Sequence, residues 1–354
     1  MHRASRIASV VSVLALVGVL NLAAAPAPSS TPAGYRVVKT LSVGGEGFWD
    51  YLAADSAARR LYVTRGTHVM VFDLDSWAQV GDITGLHGIH GVAIAAPEGR
   101  GYISDGGSAE AVAFDLKSLH VLGKVKTGAG ADAILYDPAT HRVFTWNGRA
   151  NTATAIDATA KDIDDSGVGT IVLGGRPEFA ASDGAGAIYV NLEDKSTVLK
   201  IDAKSLKIVA TWPLAPCEEP SGMAIDTAHH RLLIGCANHM MAVVNADSGA
   251  VIATPAIGAG VDANGFDPGS QLGFSSNGRD ANLTVVQEKD PNTFIELGNV
   301  ATAMGARTMT IDLQTHNVIL VTAKFGPPPA ATTERPHPRP SMVPGSFELL
   351  VVGR

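Results

Sequence analysis

Charged and aromatic residues are scarce in this chain. Only 17% of its 354 residues are charged and 6% are aromatic, whereas 46% are hydrophobic, so the chain can bury a sizeable core and is not a disordered tail. The 38 glycines and 19 prolines favour many turns, and this excludes a coiled coil and a helical bundle. The composition therefore indicates short strands joined by tight turns.

Several sequence motifs of catalysis and cofactor binding are also absent. Without a GxSxG, Walker or CxxCH motif, the sequence does not support a serine-hydrolase elbow, a nucleotide-phosphate loop or covalently attached haem. The formal net charge is −7, and removal of Arg3 and Arg6 with the leader predicted below makes it about −9. Because a negative surface repels a phosphate backbone, nucleic acid is disfavoured as a partner.

The first 25 residues are predicted to be an export signal. Arg3 and Arg6 precede an apolar run over residues 7–22, which small residues follow. The run is short for a membrane span, so we expect cleavage and no span in the mature chain, with an uncleaved anchor as the alternative. Residues 26–34, rich in Pro, Ala, Ser and Thr, are predicted to be a linker. These features predict a periplasmic or secreted protein.

A turn followed by an apolar strand recurs seven times after the linker. The turns begin at Asp55, Ala96, Asp137, Asp183, Asp226, Asp267 and Asp312. Successive copies are 41, 41, 46, 43, 41 and 45 residues apart. This period is typical of a four-stranded blade, which must stack radially against neighbours to cover its faces. The sequence therefore predicts an all-β, seven-bladed β-propeller of four-stranded antiparallel blades over residues 35–354.

Two segments of the last repeat depart from the pattern. Its fourth strand is missing at the C-terminus, and residues 36–43 have an outer-strand pattern, so we expect the N-terminal strand to join the last blade and close the ring. Residues 326–346 contain seven prolines and are predicted to be an extended loop inserted in that blade on the channel side. This loop is either a lid or docking arm, or an inert insertion.

Two segments carry a repeat motif, namely residues 61–64 (LYVT) and 188–191 (IYVN). They resemble the YVTN-type β-propeller repeat of the bacterial YncE-like proteins, although Arg65 replaces the final Asn in the first unit. Further similarity to a periplasmic branch of that family lies in residues 219–222, 260–263, 275–278 and 305–309. The resemblance implies a seven-bladed propeller, on a scaffold that serves binders, lactonases, lyases and electron-transfer subunits alike.

One position of the repeat is predicted to form a ring at the mouth of the central channel. Five residues before each turn, the sequence has Asp50, Gly91, Asp132, Glu178, Ser221, Asp262 and Arg307. Trp49, Tyr51, His90, Phe179, Glu219, Asn264 and Asn277 are predicted to lie beside this ring, the last of them in an outer wall formed by the loops between second and third strands. Four carboxylates and one guanidinium predict a site for a small polar ligand or a periplasmic partner protein, with a solvated rim as the alternative.

The same mouth also supports an enzymatic hypothesis. The candidate ligands for a divalent cation such as Ca²⁺ or Mg²⁺ are Asp50, Asp132, Glu178 and Asp262. In a divalent-metal-assisted lyase or lactone hydrolase, Arg307 stabilises an oxyanion or binds a substrate carboxylate, while His90 or Asp262 moves a proton. No HxH or HExxH spacing supports a dedicated zinc or copper site. A third hypothesis makes the propeller a subunit of a periplasmic assembly; the chain alone is expected to be a monomer.

The two cysteines are predicted to form a disulfide. Cys217 lies in the loop entering the fifth blade and Cys236 ends the second strand of that blade, so antiparallel pairing brings both to one end. Free thiols or soft-metal ligation are the alternatives.

His229 falls in a turn on the opposite face and is interpreted as structural or solvated. Residues 162–167 resemble the start of a calcium loop, but Leu173 stands where a bidentate Glu is needed, so a hairpin turn is predicted.

Overall fold

The computed structural model describes residues 32–330, 332 and 340–354. The predicted export signal and residues 26–31 of the predicted linker lie outside these ranges. Within them, no helix has the length and apolar character needed to cross a membrane. The described chain consists of β-strands with three short 3₁₀ turns, at Pro32–Gly34, Ala96–Glu98 and Glu193–Lys195.

Strand β1 (Arg36–Ser42) precedes six sheets, each made of four consecutive antiparallel strands. Blade 1 contains β2 (Leu52–Asp55), β3 (Arg60–Thr64), β4 (Val69–Asp73) and β5 (Gln79–Ile83). Blade 2 contains β6 (Ile89–Ala95), β7 (Arg100–Asp105), β8 (Glu110–Asp115) and β9 (Val121–Lys126). Blade 3 contains β10 (Ala131–Asp137), β11 (Arg142–Asn147), β12 (Thr152–Asp157) and β13 (Gly167–Val172).

The next three blades repeat this order. Blade 4 contains β14 (Pro177–Ser182), β15 (Ala187–Leu192), β16 (Thr197–Asp202) and β17 (Lys207–Pro213). Blade 5 contains β18 (Pro220–Asp226), β19 (Arg231–Cys236), β20 (Met240–Asn245) and β21 (Val251–Ala253). Blade 6 contains β22 (Val261–Asp267), β23 (Leu272–Asn277), β24 (Asn282–Asp290) and β25 (Thr293–Ala301).

Blade 7 closes the ring with strands from both ends of the chain. Its first three strands are β26 (Met309–Asp312), β27 (Asn317–Thr322) and β28 (Glu348–Gly353). Its outer strand is β1, which pairs antiparallel with β28 from Arg36 opposite Gly353 to Ser42 opposite Glu348. The predicted seven-bladed propeller and its closure by the N-terminal strand are therefore confirmed.

The second and third strands of each blade are buried because neighbouring blades cover both of their faces. In β15, for example, every residue after Ala187 is buried. Apolar clusters fill the seven seams between blades. The seam between blades 5 and 6 has the smallest of these clusters, with Leu233, Met241, Ile257 and Val286 as its buried members. This seam therefore gains the least from apolar burial.

Aspartate side chains stabilise the turns between strands. Asp73, Asp115 and Asp202 accept the backbone N–H groups of Ser76, Ser118 and Ser205 at 2.7, 2.7 and 2.6 Å. Residues 162–167 connect β12 to β13, as a hairpin turn should. Within that turn, Asp164 accepts the backbone N–H of Lys124 at 2.8 Å.

The predicted disulfide is also present. Cys217 and Cys236 are bonded with their Cα atoms 5.5 Å apart, and both are buried. Disulfides are typical of proteins outside the reducing cytoplasm, so this bond fits a non-cytoplasmic protein.

The described ends of the Pro-rich loop lie beside the channel face of blade 7. Phe325 and Met342 form an isolated bridge, and the Phe325 ring centroid lies 6.0 Å from that of Trp49. At the base of the loop, the Thr322 hydroxyl donates to the carbonyl of Met304, in the connection that leads to Arg307. Of the loop itself, residues 331 and 333–339 are outside the described part of the chain.

Candidate functional site

The innermost strands of blades 2 to 6 share a β-bulge at the end that carries the predicted ring. The register of pairing with the second strand shifts between Ile89 and Val92, Ala131 and Ile134, Pro177 and Ala180, Pro220 and Met223, and Val261 and Ala263. The ring residue of each blade falls inside this irregularity. Because a bulge bends its strand and re-aims side chains, it provides a local reason for these residues to leave the blade plane.

Side chains from five blades form a chain of alternating charge at the mouth. Arg307 Nε donates to Asp262 Oδ2 at 2.5 Å, and its Nη2 lies 3.4 Å from Asp50 Oδ1. The other oxygen of Asp50 lies 2.7 Å from His90 Nδ1, which is also 3.3 Å from Asp132 Oδ1. Anion and cation therefore alternate from blade 6 through blades 7, 1 and 2 to blade 3.

The alternation stops at Glu178 in blade 4. Burial, reinforced by the carboxylates of Asp132 and Asp262, raises the pKa of Glu178 to about 9. The next carboxylate beyond Glu178 is Glu193. Its Oε2 lies 2.6 Å from Nη2 of the exposed Arg176. Burial also raises the pKa of Glu193. This sector of the mouth therefore has more carboxylates than cations.

Two of the three carboxylates in the charge chain also have raised pKa values. Burial raises the pKa of Asp132 to about 6, an effect that His90 opposes and Asp50 reinforces. Burial raises the pKa of Asp262 to about 6 against the opposing charge of Arg307. Burial lowers the pKa of His90, but Asp50 and Asp132 outweigh it and the net shift is upward. The mouth therefore contains several groups that exchange protons close to neutral pH.

Two threonine hydroxyl groups, one at the end of β3 and one just before β26, hold the backbone beneath this mouth. The buried Thr64 hydroxyl lies 3.0 Å from both the Tyr51 and the His90 carbonyl oxygens, and so it links blade 1 to blade 2. The Thr308 hydroxyl donates to the carbonyl of Asp50 at 2.8 Å and links blade 7 to blade 1. Neither threonine was predicted to be a site residue. Both had a usable signal, since Thr64 ends the LYVT motif and Thr308 lies in residues 305–309, one of the segments that resemble the YncE-like proteins.

Two aromatic residues predicted beside the ring form its floor. Tyr51 is buried, and its ring centroid lies 4.9 Å from that of Phe179 at an interplanar angle of 60°. Burial and the surrounding carboxylates raise the pKa of the Tyr51 hydroxyl. Glu219 lies beside Glu193, whose pKa its charge helps to raise, and so it belongs to the acidic side of the mouth.

Three residues predicted beside the ring are placed elsewhere. Trp49 is buried in the seam between blades 7 and 1, with its ring centroid 5.5 Å from that of Phe347. Asn277 is fully buried, and its amide donates to Asn282 and Thr284 within blade 6, both at 2.8 Å. Asn264 is buried near blade 5, and its amide has no hydrogen-bond partner among the described residues. The structure does not bring these three side chains to the charge chain.

One part of the mouth has the donor set of a metal site. Asp50, His90 and Asp132 each offer one ligand atom, and these atoms lie within 4.8 Å of one another. Two of the four predicted metal ligands are therefore in this group, which also contains the imidazole. Glu178 and Asp262 belong to no such group among the described residues.

Comparison with known proteins identifies the fold alone. No family model matches the chain, and no curated protein matches it in sequence. A chain of Kuenenia stuttgartiensis hydrazine synthase is similar in structure, with a TM-score of 0.66 and 10% identity over 76% of this chain and 91% of that chain. A chain of a mitotic checkpoint complex has a TM-score of 0.70 and 14% identity over 97% and 99%. Both likenesses agree with a seven-bladed β-propeller.

Proposed function

We propose that this protein binds a small polar ligand at the channel mouth, and that the ligand presents a cationic or donor-rich group to Asp132 and Glu178. The supporting observation is the break in charge alternation at Glu178, a buried acid that holds its proton at neutral pH, hydrogen-bonds to Glu193 and has no cation beside it among the described residues. Burying a carboxylate without a cation costs free energy, as the raised pKa of Glu178 reflects. A bound cationic group would offset this cost. Its binding is therefore favoured on the blade 4 side of the mouth, where Glu178 lies.

Arg307 gives the ligand a second point of contact. Its side chain is 40% exposed, and its two ion-pair contacts use Nε and Nη2. The Nη1 group makes no hydrogen bond with any described residue, so it is free to bind an acceptor such as a carboxylate or a carbonyl. A ligand with an amine at one end and an acceptor at the other fits both sides of the mouth.

Isothermal titration calorimetry tests this proposal with a panel of ethanolamine, lysine, putrescine and betaine, beside acetate and succinate. We expect the amines to bind and the simple carboxylates to bind weakly or not at all. Asp132→Asn should weaken amine binding at least tenfold. The matched control is Asp165→Asn, which removes an exposed carboxylate in the turn before β13. Equal affinity in the wild-type protein and Asp132→Asn would contradict the proposal.

A divalent-metal-assisted lyase or lactone hydrolase is the second candidate, and the Asp50, His90 and Asp132 group favours it. Such an ion would polarise a substrate oxygen, and Arg307 would stabilise the charge that develops there. Since His90 would be a metal ligand, Asp262 is the group left to move a proton. Turnover of a lactone panel that requires Mg²⁺, Ca²⁺ or Mn²⁺ and is lost in His90→Gln would establish this candidate.

Export and partner binding belong to the same proposal. The predicted signal over residues 1–25 and the disulfide support a periplasmic or secreted location.

A propeller chain also occurs in the mitotic checkpoint complex, so a partner protein at the mouth is the alternative to a small ligand. Light scattering after size exclusion should give the mass of a monomer. Copurification with a second chain that Arg307→Ala releases would favour the partner.

A further inference from the structure

The face opposite the channel mouth has its own set of contacts between blades. Arg59 lies 2.8 Å from Asp312 across the seam of blades 7 and 1. His316 lies 2.9 Å from Asp267 across the seam of blades 6 and 7. At the seam of blades 2 and 3, His141 lies 2.6 Å from Glu98. Across each of these seams, one basic side chain faces one carboxylate of the neighbouring blade, and Arg59 also pairs with the exposed Asp75 of its own blade at 2.9 Å.

The seam between blades 5 and 6 differs because both carboxylates that face its basic side chain are buried. His229 Nδ1 lies 2.7 Å from Asp226 Oδ2 and 2.9 Å from Glu288 Oε1, so one imidazole faces two carboxylates. The carboxylate side chains are only 3% and 1% exposed, whereas His229 is 32% exposed. With both carboxylates ionised, even a protonated imidazole leaves this buried group with an excess negative charge. Burial of unbalanced charge is costly, so the group is expected to bind either a proton or a further cation.

Glu288 provides a second observation at this seam. Its Oε1 faces His229, while its buried Oε2 accepts no hydrogen bond from any described residue, and Asp226 can bond to Glu288 only through a shared proton. The nearest guanidinium does not provide the further cation. Arg231 donates from Nε to the carbonyl of Pro291 at 2.6 Å and from Nη1 to that of His229 at 2.7 Å. Its hydrogen bonds are thus made to neighbouring carbonyls and to Asn292.

We propose that Asp226, His229 and Glu288 bind a zinc-class divalent transition-metal ion, which joins blade 5 to blade 6. Two carboxylates and one imidazole are a donor set suited to Zn²⁺, and the imidazole disfavours Ca²⁺ and Mg²⁺. A divalent cation balances the two carboxylates. Water completes the coordination from the side on which His229 is exposed.

The geometry needs only a small adjustment. One ligand atom from each residue lies within 4.8 Å of the others. Tetrahedral ligands with bonds of about 2.0–2.1 Å are about 3.4 Å apart, so the contacts of 2.7 and 2.9 Å must open by roughly half an ångström. His229 lies in the turn between β18 and β19, where a movement of this size leaves the strands paired.

The ion would act at the seam with the smallest cluster of buried apolar side chains. The buried members of this cluster are Leu233, Met241, Ile257 and Val286. Asp226 ends β18 in blade 5, whereas Glu288 belongs to β24 in blade 6. Bound metal therefore links the two blades directly, and metal binding should raise the unfolding temperature.

A shared proton is the competing explanation, because burial and Asp226 raise the pKa of Glu288 to about 7. Zinc binding to the metal-stripped protein separates the two explanations, and inductively coupled plasma mass spectrometry gives the stoichiometry. To isolate this site from the channel mouth, the background is His90→Gln, which removes the imidazole of the other candidate group. We expect one equivalent of zinc and a higher unfolding temperature. Calcium and magnesium should produce neither effect.

Two variants test the ligands. Glu288→Gln resembles the protonated acid in shape and should fold, yet it should weaken zinc binding at least tenfold. The matched control His230→Gln removes the adjacent, exposed histidine, which pairs with Asp247 instead, and should keep the zinc. If Glu288→Gln does not fold, His229→Gln takes its place. Absence of zinc binding in the His90→Gln background, or unchanged binding in the ligand variant, would overturn the proposal in favour of the shared proton.

Discussion

Arg307 donates from Nε to Oδ2 of Asp262 at 2.5 Å, which joins blade 7 to blade 6 at the channel mouth. This contact begins a chain of alternating charges that ends at Asp132. Elsewhere the blades are joined by apolar seams and, on the opposite face, by separate ion pairs. At the mouth, polar side chains from five successive blades form one connected chain.

The Arg307 and Asp262 pair should be energetically coupled. Because both side chains are partly buried, we expect a double-mutant cycle with Arg307→Ala and Asp262→Ala to give a coupling energy of about 1–2 kcal/mol. Both single variants and the double variant should keep the strand content of the wild-type protein, since the pair lies outside the apolar seams. Urea unfolding measures the cycle. Additive effects of the two substitutions would show that the contact does not form.

Glu178 should make the protein less stable as the pH rises. Its pKa in the folded protein is about 9, against an ordinary value of 4.5, so the folded state holds the proton more tightly than the unfolded state. Its favourable contribution is therefore complete below about pH 4.5 and is lost as the pH rises toward 9. Glu178→Gln should stabilise the protein at pH 8 by on the order of 1 kcal/mol and hardly at pH 4.

Thermal unfolding across this pH range tests the prediction for Glu178, with Asp165→Asn as the control for loss of one exposed carboxylate. The control should show no such dependence on pH. If Glu178→Gln raises the unfolding temperature equally at pH 4 and pH 8, the pKa of Glu178 is not raised in the folded protein.

Thr64 should support the mouth through its hydroxyl alone. Thr64→Val keeps the branched shape of the side chain in β3 but leaves the carbonyls of Tyr51 and His90 without this donor. We expect a loss of about 1–2 kcal/mol in the free energy of unfolding. Thr64→Ser restores the hydroxyl and should recover most of that loss. Equal stability of the serine and valine variants would indicate that packing at this position matters instead.

The disulfide should stabilise blade 5 by tying the loop that enters the blade, at Cys217, to the end of β19, at Cys236. Cys217 and Cys236 are 19 residues apart, and closing a loop of this length stabilises a protein by about 3 kcal/mol in the chain-entropy model. Replacing both by alanine should lower the free energy of unfolding by a comparable amount. Guanidinium unfolding at neutral pH gives this value. An unchanged midpoint and slope would show that the disulfide constrains neither state.

Much of the fold was predictable because blades repeat at a nearly constant period. The turn positions that begin at Asp55 located all seven blades, and the unpaired outer-strand pattern of residues 36–43 predicted the closure of the ring. The same period located Asp50, Asp132, Asp262 and Arg307, which the structure brings together through hydrogen-bonded ion pairs.

The period does not state which way a side chain faces. Trp49 is one residue from Asp50, but it lies in an apolar seam, since neighbouring residues of an extended chain point to opposite sides. The proposed zinc-class site could not be predicted from the repeat pattern, for another reason. Glu288 comes from β24, which continues for nine residues, and the repeat gives no signal for that extension.

A crystal structure of the protein with the tightest-binding amine of the calorimetry panel tests the proposed mouth site most directly. We predict that the ammonium group contacts the carboxylates of Asp132 and Glu178, with any acceptor group of the ligand near Arg307 Nη1. The same crystals without amine are the control. Well-defined ligand density at another surface, with no density at the mouth, would contradict the proposed function.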